Sequence, residues 1–262
     1  MIDLPVFMAN CPNRGYCMDF SGRALSINKH WKKLMPDQRD SAIDLMDQQR
    51  FSEAIPLFLR LIESKPDDWS LYYMVGQCFR YTNNFAEATR YLKKAAARNP
   101  TESRVFLALG IAHQLKSDFG SALQALEHAV QLDPDLYSAY NSIGLTYRMS
   151  GDLTKAVEWY SRAAEGMVSA VTEMVHKDQD KCLRDEVIDE MKTHDVHTRT
   201  IDKIREILRS DPTYAIIKNN IGICFIELGD MDSARQQFRE SIEYIPDDFD
   251  YQEPYKNLAS IS

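Results

Sequence analysis

The sequence predicts an all-α protein built as a solenoid of about five to six helical hairpins. Glycine and proline number only 10 each in 262 residues, which disfavours a β protein with many turns. Several residue types recur every 34 residues, a period typical of stacked helical hairpins. Within each period the apolar residues follow the i, i+3, i+4, i+7 spacing of amphipathic helices.

The period is shared by four residue types in one register, so we interpret it as an internal repeat. Its members are Pro66, Pro100 and Pro134; Gly76, Gly110 and Gly144; Ala54, Ala88, Ala122 and Ala156; and Phe51, Phe85 and Phe119.

Each unit is predicted to contain two helices. In the unit that begins at Trp69, a first helix ends at the sequence Thr-Asn-Asn, and a second helix ends before Pro100, because proline cannot continue a helix. Gly76 and Ala88 are small, so the two helix backbones can approach closely while large residues fill the space around them.

These residues resemble the motif of the tetratricopeptide repeat family. That motif has a large residue at position 4, Leu-Gly at 7–8, an aromatic at 11, Ala at 20 and 27, a large residue at 24 and Pro at 32. Unit 103–136 carries Phe106, Leu109, Gly110, His113, Ala122, Leu126, Ala129 and Pro134 at these places. The resemblance implies a right-handed superhelix over residues 35–248, with repeats one to four in 35–170 and a last repeat in 215–248. The first unit departs from the motif in its first helix.

The last two clear repeats are spaced irregularly, since Gly144 and Gly222 lie 78 residues apart. Val168 stands where the fourth unit should have its proline, so the sequence predicts a second helix about two to three turns longer than its siblings. A degenerate hairpin is predicted in 181–214, with a first helix over 181–194 and a second that contains Ile204 and Ile207. The 78 residues would then be two units and a 10-residue extension. The alternative for 171–214 is a flexible insertion.

The two ends of the chain lie outside the repeats. Residues 1–34 are interpreted as a lead segment that covers the first repeat or lies along the groove. Residues 249–262 are acidic and aromatic, and form either a tail that occupies the groove or a capping helix from Pro254 onward.

The composition excludes several classes of function. A net charge of −8 disfavours nucleic acid as a partner. No run approaches the roughly 18 apolar residues of a membrane span, so we expect no transmembrane helix. The N-terminus lacks a basic region before its apolar residues, so we expect no secretory signal. Five cysteines, an odd number, indicate reduced thiols in a cytoplasmic protein.

Motifs of catalysis and metal binding are weak or missing. The sequence has no glycine-rich phosphate loop, no His-Glu-x-x-His and no Gly-x-Ser-x-Gly, so we expect neither an enzyme nor a cofactor. One candidate metal cluster consists of His176, Cys182, His194 and His197. We do not expect it to bind metal, because the two histidines nearest each other fall at the predicted turn between two helices. A second set, Cys11, Cys17 and His30, is spaced more loosely than in usual zinc sites.

The resemblance implies a concave groove lined by the first helix of each unit, at positions 2, 5, 9, 12 and 13. The candidate groove residues are Tyr73, Gln77, Arg80, Arg104, Leu107, Ile111, Gln114, Asn141, Leu145 and Arg148, joined by Tyr81, Leu115, Met149, Asn219 and Ile223. An apolar centre flanked by arginines suits an extended or helical peptide with apolar anchors and a carboxylate. The lysines of the clamp that binds chaperone tails in some family members are missing.

The sequence therefore predicts a non-catalytic protein-interaction scaffold or adaptor whose partner is a protein or peptide. Three alternatives remain open. The first is a metal-binding protein that uses the 176–197 cluster. The second is a regulator whose terminal segment fills the groove, and the third is a protein that assembles with itself. The arginines also have a structural interpretation, as partners of acidic residues on the next hairpin.

Overall fold

The computed structural model describes residues 16–18, 24–26, 38–185 and 193–261, with side chains over 38–177 and 200–261. The described part is predominantly α-helical, which confirms the predicted fold class. Two short strands, β1 (Tyr16–Met18) and β2 (Ala24–Ser26), pair antiparallel ahead of the helices. The helices are α1 (Gln38–Asp47), α2 (Phe51–Ser64), α3 (Trp69–Tyr81), α4 (Phe85–Arg98), α5 (Ser103–Leu115), α6 (Phe119–Leu132), α7 (Tyr137–Met149), α8 (Leu153–Asp185), α9 (Thr193–Arg209), α10 (Thr213–Leu228), α11 (Met231–Glu243) and α12 (Glu253–Ser260).

The turn inside each hairpin has one recurring form. A residue with positive φ comes first, and it is Gln49, Asn83, Ser117, Gly151 or Gly229. In four of these turns an Asn or Asp follows and caps the second helix with its side chain, as Asp118 does by accepting a hydrogen bond from the Ser121 amide at 3.2 Å. The left-handed residue turns the chain and the cap then starts α4, α6, α8 or α11, so these helices begin at a fixed place in their unit.

The core of each hairpin is a glycine that faces a large side chain. A Cβ added to Gly110 would lie 2.5 Å from Cγ of Leu126, and one added to Gly222 would lie 2.5 Å from Cε1 of Phe238. Gly76 faces Leu92 and Gly144 faces Tyr160 in the same way. The small residue therefore sets the distance between the two helices, and the large one fills the gap.

The fourth hairpin differs from the sequence prediction. Its second helix, α8, is 33 residues long against 14 for α6, which makes the extension about five turns rather than two to three. Residues 181–185 belong to this helix, so the predicted separate helix over 181–194 is wrong there, and residues 186–192 lie outside the described part.

The last hairpin, α10–α11, packs directly on α7 and α8. Asn220 Nδ2 donates to Asn141 Oδ1 at 2.9 Å, and one core cluster joins Tyr160 of α8 to Ile217 and Ile221 of α10. No degenerate repeat stands between them in the described part of the chain. The 78-residue interval is thus one 34-residue unit and a 44-residue insertion, 171–214, and not two units with a short extension.

The insertion consists of the distal part of α8 and the helix α9. Helix α9 returns along the molecule, where Leu208 joins the same core cluster and Arg205 Nε lies 3.1 Å from Glu243 Oε1 of α11. The insertion therefore leaves the solenoid and comes back without disturbing the stacking of the fourth and last hairpins.

The C-terminal helix α12 packs on α11 and α10, in the place that the first helix of another repeat would take. Pro254 is buried there, and Asn257 Nδ2 donates to Asn219 Oδ1 at 2.9 Å. Of the two interpretations of residues 249–262, the structure contains the helix, over Glu253–Ser260. Asn219 is covered by this helix, so its place in a continuous groove is lost.

Candidate peptide-binding groove

The groove is formed by the first helices α3, α5, α7 and α10, which lie next to one another along the solenoid. One side of each helix packs on its own second helix, and the candidate residues lie on the other side. The candidate residues divide into three zones, which differ in how far neighbouring side chains occupy them.

The α3 zone is a chain of polar contacts. Arg80 Nε donates to Gln77 Oε1 at 2.8 Å, and Gln77 Nε2 donates to Tyr73 Oη at 2.8 Å. The Arg80 guanidinium lies 4.1 Å from the ring centre of Tyr81, which itself stacks on Phe51 at 4.5 Å. These contacts hold Arg80 in place and leave its terminal amino groups able to bind a carboxylate.

The α5 zone is apolar in its centre. Leu107 and Ile111 are half-buried, and Leu115 is 43% exposed at the end of the helix. Arg104 is exposed, but it is the second residue of α5, whereas Arg80 is the second-last residue of α3. Arg104 and Arg80 are thus ten positions apart within their helices, which at 1.5 Å per residue corresponds to about 15 Å along the helix axes. The two arginines therefore lie near opposite edges of the groove.

Gln114 is a correction to the predicted site. It is 4% exposed, and its Nε2 donates to Thr146 Oγ1 at 3.1 Å and approaches Ser142 O at 3.4 Å. Its amide group therefore links α5 to α7 inside the solenoid, and it is not free to bind a partner.

The α7 zone is largely occupied by α10. Arg148 Nη1 donates to Glu227 Oε1 at 3.1 Å, which matches the structural interpretation of this arginine. Asn141 accepts the hydrogen bond from Asn220, and Leu145 packs against the core cluster under α8. Sequence reasoning missed these partners, because Asn220 and Glu227 lie 79 residues from Asn141 and Arg148 respectively.

A row of exposed apolar side chains follows the C-terminal ends of the first helices. Tyr81 is 53% exposed, Leu115 43% and Met149 47%, and the three occupy the same position of successive 34-residue units. Leu228 near the end of α10 is also exposed, at 49%, but it lies one position past the place that corresponds to Met149, which Glu227 occupies. We call Tyr81, Leu115 and Met149 the apolar row.

Basic residues accompany the apolar row. Arg80, Lys116 and Arg148 each adjoin one of its members in sequence. Lys116 was not among the predicted residues, although its place next to Leu115 was visible in the repeat alignment. It is exposed, and like Arg80 it forms no ion pair within residues 38–177 and 200–261, whereas Arg148 is paired with Glu227.

The described residues contain no cluster of His, Cys, Asp and Glu that could hold a metal ion. His194 and His197 lie within helix α9 rather than at a turn, which corrects the prediction, and their side chains and that of Cys182 lie outside the described part. Cys11 and His30 fall outside it entirely, and only the backbone of Cys17 is described.

Two buried cysteines and one buried histidine of the core are neutral near pH 7. Burial raises the pKa of Cys78 and Cys224 to about 11, which makes these thiols unreactive near neutral pH. Burial also lowers the pKa of His113, even though its Nδ1 lies 2.9 Å from Asp118 Oδ2. Among the described helices, none is both long and apolar enough to cross a membrane.

Solved structures with this architecture are similar over most of their length. TTC0263, a thermophilic tetratricopeptide protein of Thermus thermophilus, matches with a TM-score of 0.57 and 17% identity, over 86% of this chain and 98% of its own. MamA from Desulfovibrio magneticus RS-1, residue 41 to its end, matches with a TM-score of 0.56 and 16% identity over 84% and 97%. YrrB, a tetratricopeptide protein with an unusual peptide-binding site, gives 0.51 and 16% over 82% and 87%. At these identities the likeness shows the fold alone, and no curated protein sequence matches the chain.

The fold and the groove define a helical-repeat solenoid of the kind that serves as a protein-interaction scaffold. Sequence profiles of the tetratricopeptide repeat match residues 39–103, 79–137 and 107–169, and a further profile of the same repeat matches 215–248. The chain belongs to the tetratricopeptide repeat family. The profiles leave out 170–214, in agreement with an insertion there.

Proposed function

We propose that this protein is a non-catalytic scaffold or adaptor that binds an acidic peptide with regularly spaced apolar residues along the apolar row. The observation that carries the proposal is the repetition of exposed apolar side chains at one position of three successive units. Exposed single apolar residues are common, but a periodic row beside cations is typical of an interaction surface.

The charges favour an acidic partner at the N-terminal end of the groove. Arg80 and Lys116 are available there, whereas Glu227 already neutralises Arg148. The Arg148–Glu227 pair also illustrates how a carboxylate can bind at the height of the apolar row. A ligand with its acidic residues over α3 and α5 and its apolar residues along the row therefore fits the surface best.

The spacing of the row restricts the ligand further. Packed helices lie about 8–10 Å apart, and an extended chain in the polyproline II conformation rises about 3.1 Å per residue with three residues per turn. Such a peptide would therefore place roughly every third residue, all on one face, against the next member of the row. We propose this extended form over a helical one, since the row runs across successive helices.

The proposal is tested by selecting peptides from a random library on the purified protein and measuring the affinity of the selected sequences by fluorescence anisotropy. We expect acidic peptides with apolar residues at intervals of three. Leu115→Ser with Met149→Ser should weaken binding at least about ten-fold, because two half-exposed apolar anchors lose their contacts. Both residues are already exposed, so the melting temperature should change little.

Two comparisons make the test specific. Ile201→Ser with Tyr255→Ser removes apolar side chains of similar exposure elsewhere and should leave the affinity unchanged. Arg80→Gln with Lys116→Gln should weaken binding and reduce its dependence on salt. Selection of basic or neutral sequences, or full affinity in a folded Leu115→Ser, Met149→Ser variant, would contradict the proposal.

A further inference from the structure

A second concave surface lies at the root of the insertion, away from the groove. It is a cleft of about 610 Å³ between the loop that joins α6 to α7 and the part of α8 that continues past Gly166. An adjoining cavity of about 550 Å³ shares Tyr140, Arg162, Gly166 and Ser169 with it and adds Trp159 and Glu165. We call the two together the outer cleft; none of its lining residues belongs to the apolar row or to the predicted groove.

The outer cleft exists because α8 does not end where its siblings end. Helix α6 stops at Leu132, and Pro134 turns the chain away two residues later. Gly166 holds the place of Leu132 in the fourth unit, and the helix runs on to form a wall with Ser169 and Met174, the latter 45% exposed.

The floor of the cleft is fixed by a glycine contact. The Tyr137 ring packs against α8 at Gly166, where an added Cβ would lie 2.6 Å from its Cε1. The Tyr137 hydroxyl lies 3.0 Å from Gly166 O and 3.1 Å from Asp135 Oδ1, and can donate to either. The floor is therefore preformed, which lowers the entropic cost of binding.

Three aromatic rings line this floor and its edge. The ring centres of Tyr137 and Tyr140 are 6.2 Å apart, and those of Tyr140 and Trp159 are 5.8 Å apart. Within residues 38–177 and 200–261, the Tyr140 hydroxyl and the Trp159 indole N–H form no hydrogen bond, and neither is among the buried polar atoms without a partner. Both donors are therefore free to bind a carbonyl oxygen of a ligand.

The charges of the cleft leave two carboxylates uncompensated. Arg162 Nη2 donates to Glu158 Oε1 at 2.7 Å, and Lys177 Nζ lies 2.6 Å from Glu173 Oε1, so both cations are paired along their own helix. Asp135 and Glu165 form no ion pair among the described residues. The outer cleft therefore complements a basic group more than an acidic one.

We propose that the outer cleft binds a proline-rich peptide in the polyproline II conformation, with a basic residue of that peptide placed near Glu165 and Asp135. Such a chain has no internal hydrogen bonds, and its carbonyl oxygens are open to donors. It is recognised by rows of aromatic rings with free donors between them, which is what Tyr137, Tyr140 and Trp159 provide. An amphipathic helix would instead need a continuous apolar trough, which the interleaved Arg162, Glu165 and Ser169 interrupt.

The probe is a short fluorescein-labelled peptide of repeating Pro-Leu-Pro units with one terminal arginine, and binding is measured by fluorescence anisotropy on the full chain. We expect a Kd below about 1 mM, and weaker binding by a peptide in which serine replaces each proline. Ser169→Trp fills the cleft without removing a contact and should weaken binding at least about ten-fold. Thr154→Trp places the same side chain on an exposed position of the same helix, outside the cleft, and should have no effect.

The charge arm uses Glu165→Lys, which should weaken binding about two- to five-fold, as expected for an exposed ion pair. The matched control is Glu127→Lys, an exposed glutamate of α6 that does not line the cleft. The proposal is overturned if the wild type prefers the serine peptide, if its Kd exceeds about 1 mM, or if Ser169→Trp binds as the wild type does. Binding lost in the Leu115→Ser, Met149→Ser variant but kept in Ser169→Trp would assign the peptide to the groove instead.

Discussion

The third and fourth hairpins have the same interior and different ends. In both, a glycine of the first helix faces a large residue of the second, Leu126 in the third hairpin and Tyr160 in the fourth. Yet α6 ends at Leu132, while α8 continues to Asp185.

The comparison separates two properties of a repeat. The next hairpin packs on residues near the start and middle of the second helix, such as Ala156 and Tyr160, which share a core cluster with α10. The end of that helix is set by a different residue, the proline two positions past it, and Val168 takes that place in the fourth unit. A second helix can therefore extend about five turns past the end of its unit while the next hairpin still packs on its first part. This extension also forms the wall of the outer cleft.

The largest effect is expected from restoring the proline, as Val168→Pro. Proline removes a backbone hydrogen bond and clashes with the preceding turn, at a cost of about 3 kcal/mol in a helix interior. We expect hydrogen exchange to lose protection in 169–177 while 137–163 and 213–243 keep theirs, because Ala156, Tyr160 and Ala163, the fully buried residues of α8 in the core cluster shared with α10, lie before the break.

Val168→Ala is the control for this change, since it shortens a side chain that packs on the core cluster and keeps the backbone amide. It should leave the exchange pattern of 169–177 near that of the wild type. Loss of protection in α10 in the proline variant would mean that the distal part of α8 supports the stacking after all.

The next effect concerns the interior that the two hairpins share. Ala122 and Ala156 occupy the same place in their units, and both are fully buried. Ala122→Trp and Ala156→Trp should each lower the free energy of unfolding by about 1–3 kcal/mol or more, because neither interface has room for the ring. Chemical denaturation measures this, with Gln124→Trp as the exposed control on α6. A clear difference between the two alanines would show that the insertion alters the interior of the fourth hairpin.

Most of the fold could be predicted because the same pattern of residues occurs in each repeat. Gly110 and Leu126, Ala122 and Pro134 each recur in register, so an error at one position is corrected by the others. The insertion was misread because residues 171–214 were assumed to contain a repeat. Ile188 at the glycine position and Thr200 at the alanine position were signals against that assumption.

The groove could be predicted only as a set of positions. Whether a residue at such a position is free depends on partners far along the chain, as Glu227 for Arg148 and Thr146 for Gln114 show. The apolar row was accessible from the sequence, since it follows from the period alone. The outer cleft was not, because it depends on the path of α8 past Gly166 and on how Tyr137 rests against it.

The smallest expected effect is a gain in stability from Tyr160→Phe. The Tyr160 side chain is fully buried and its hydroxyl has no hydrogen-bond partner among the described residues, while burial raises its pKa so that it stays protonated. An unpaired buried hydroxyl costs about 1–3 kcal/mol, so removing it should raise the free energy of unfolding by about 1 kcal/mol. Phe238 already fills the equivalent place opposite Gly222, which shows that a ring without a hydroxyl packs well there.

Tyr137→Phe provides the opposite case within the same hairpin. Its hydroxyl bonds to Gly166 O or Asp135, so its removal should lower the free energy of unfolding by about 0.5–1.5 kcal/mol. The two variants remove the same atom and should shift the denaturation midpoint in opposite directions. If Tyr160→Phe is destabilised like Tyr137→Phe, the Tyr160 hydroxyl has a partner in solution. Cys224 and Glu227 of α10, whose charged forms raise the pKa of Tyr160, would then be the groups to test as its partner, and the contact between the fourth and last hairpins would include a polar link beside the Arg148–Glu227 pair.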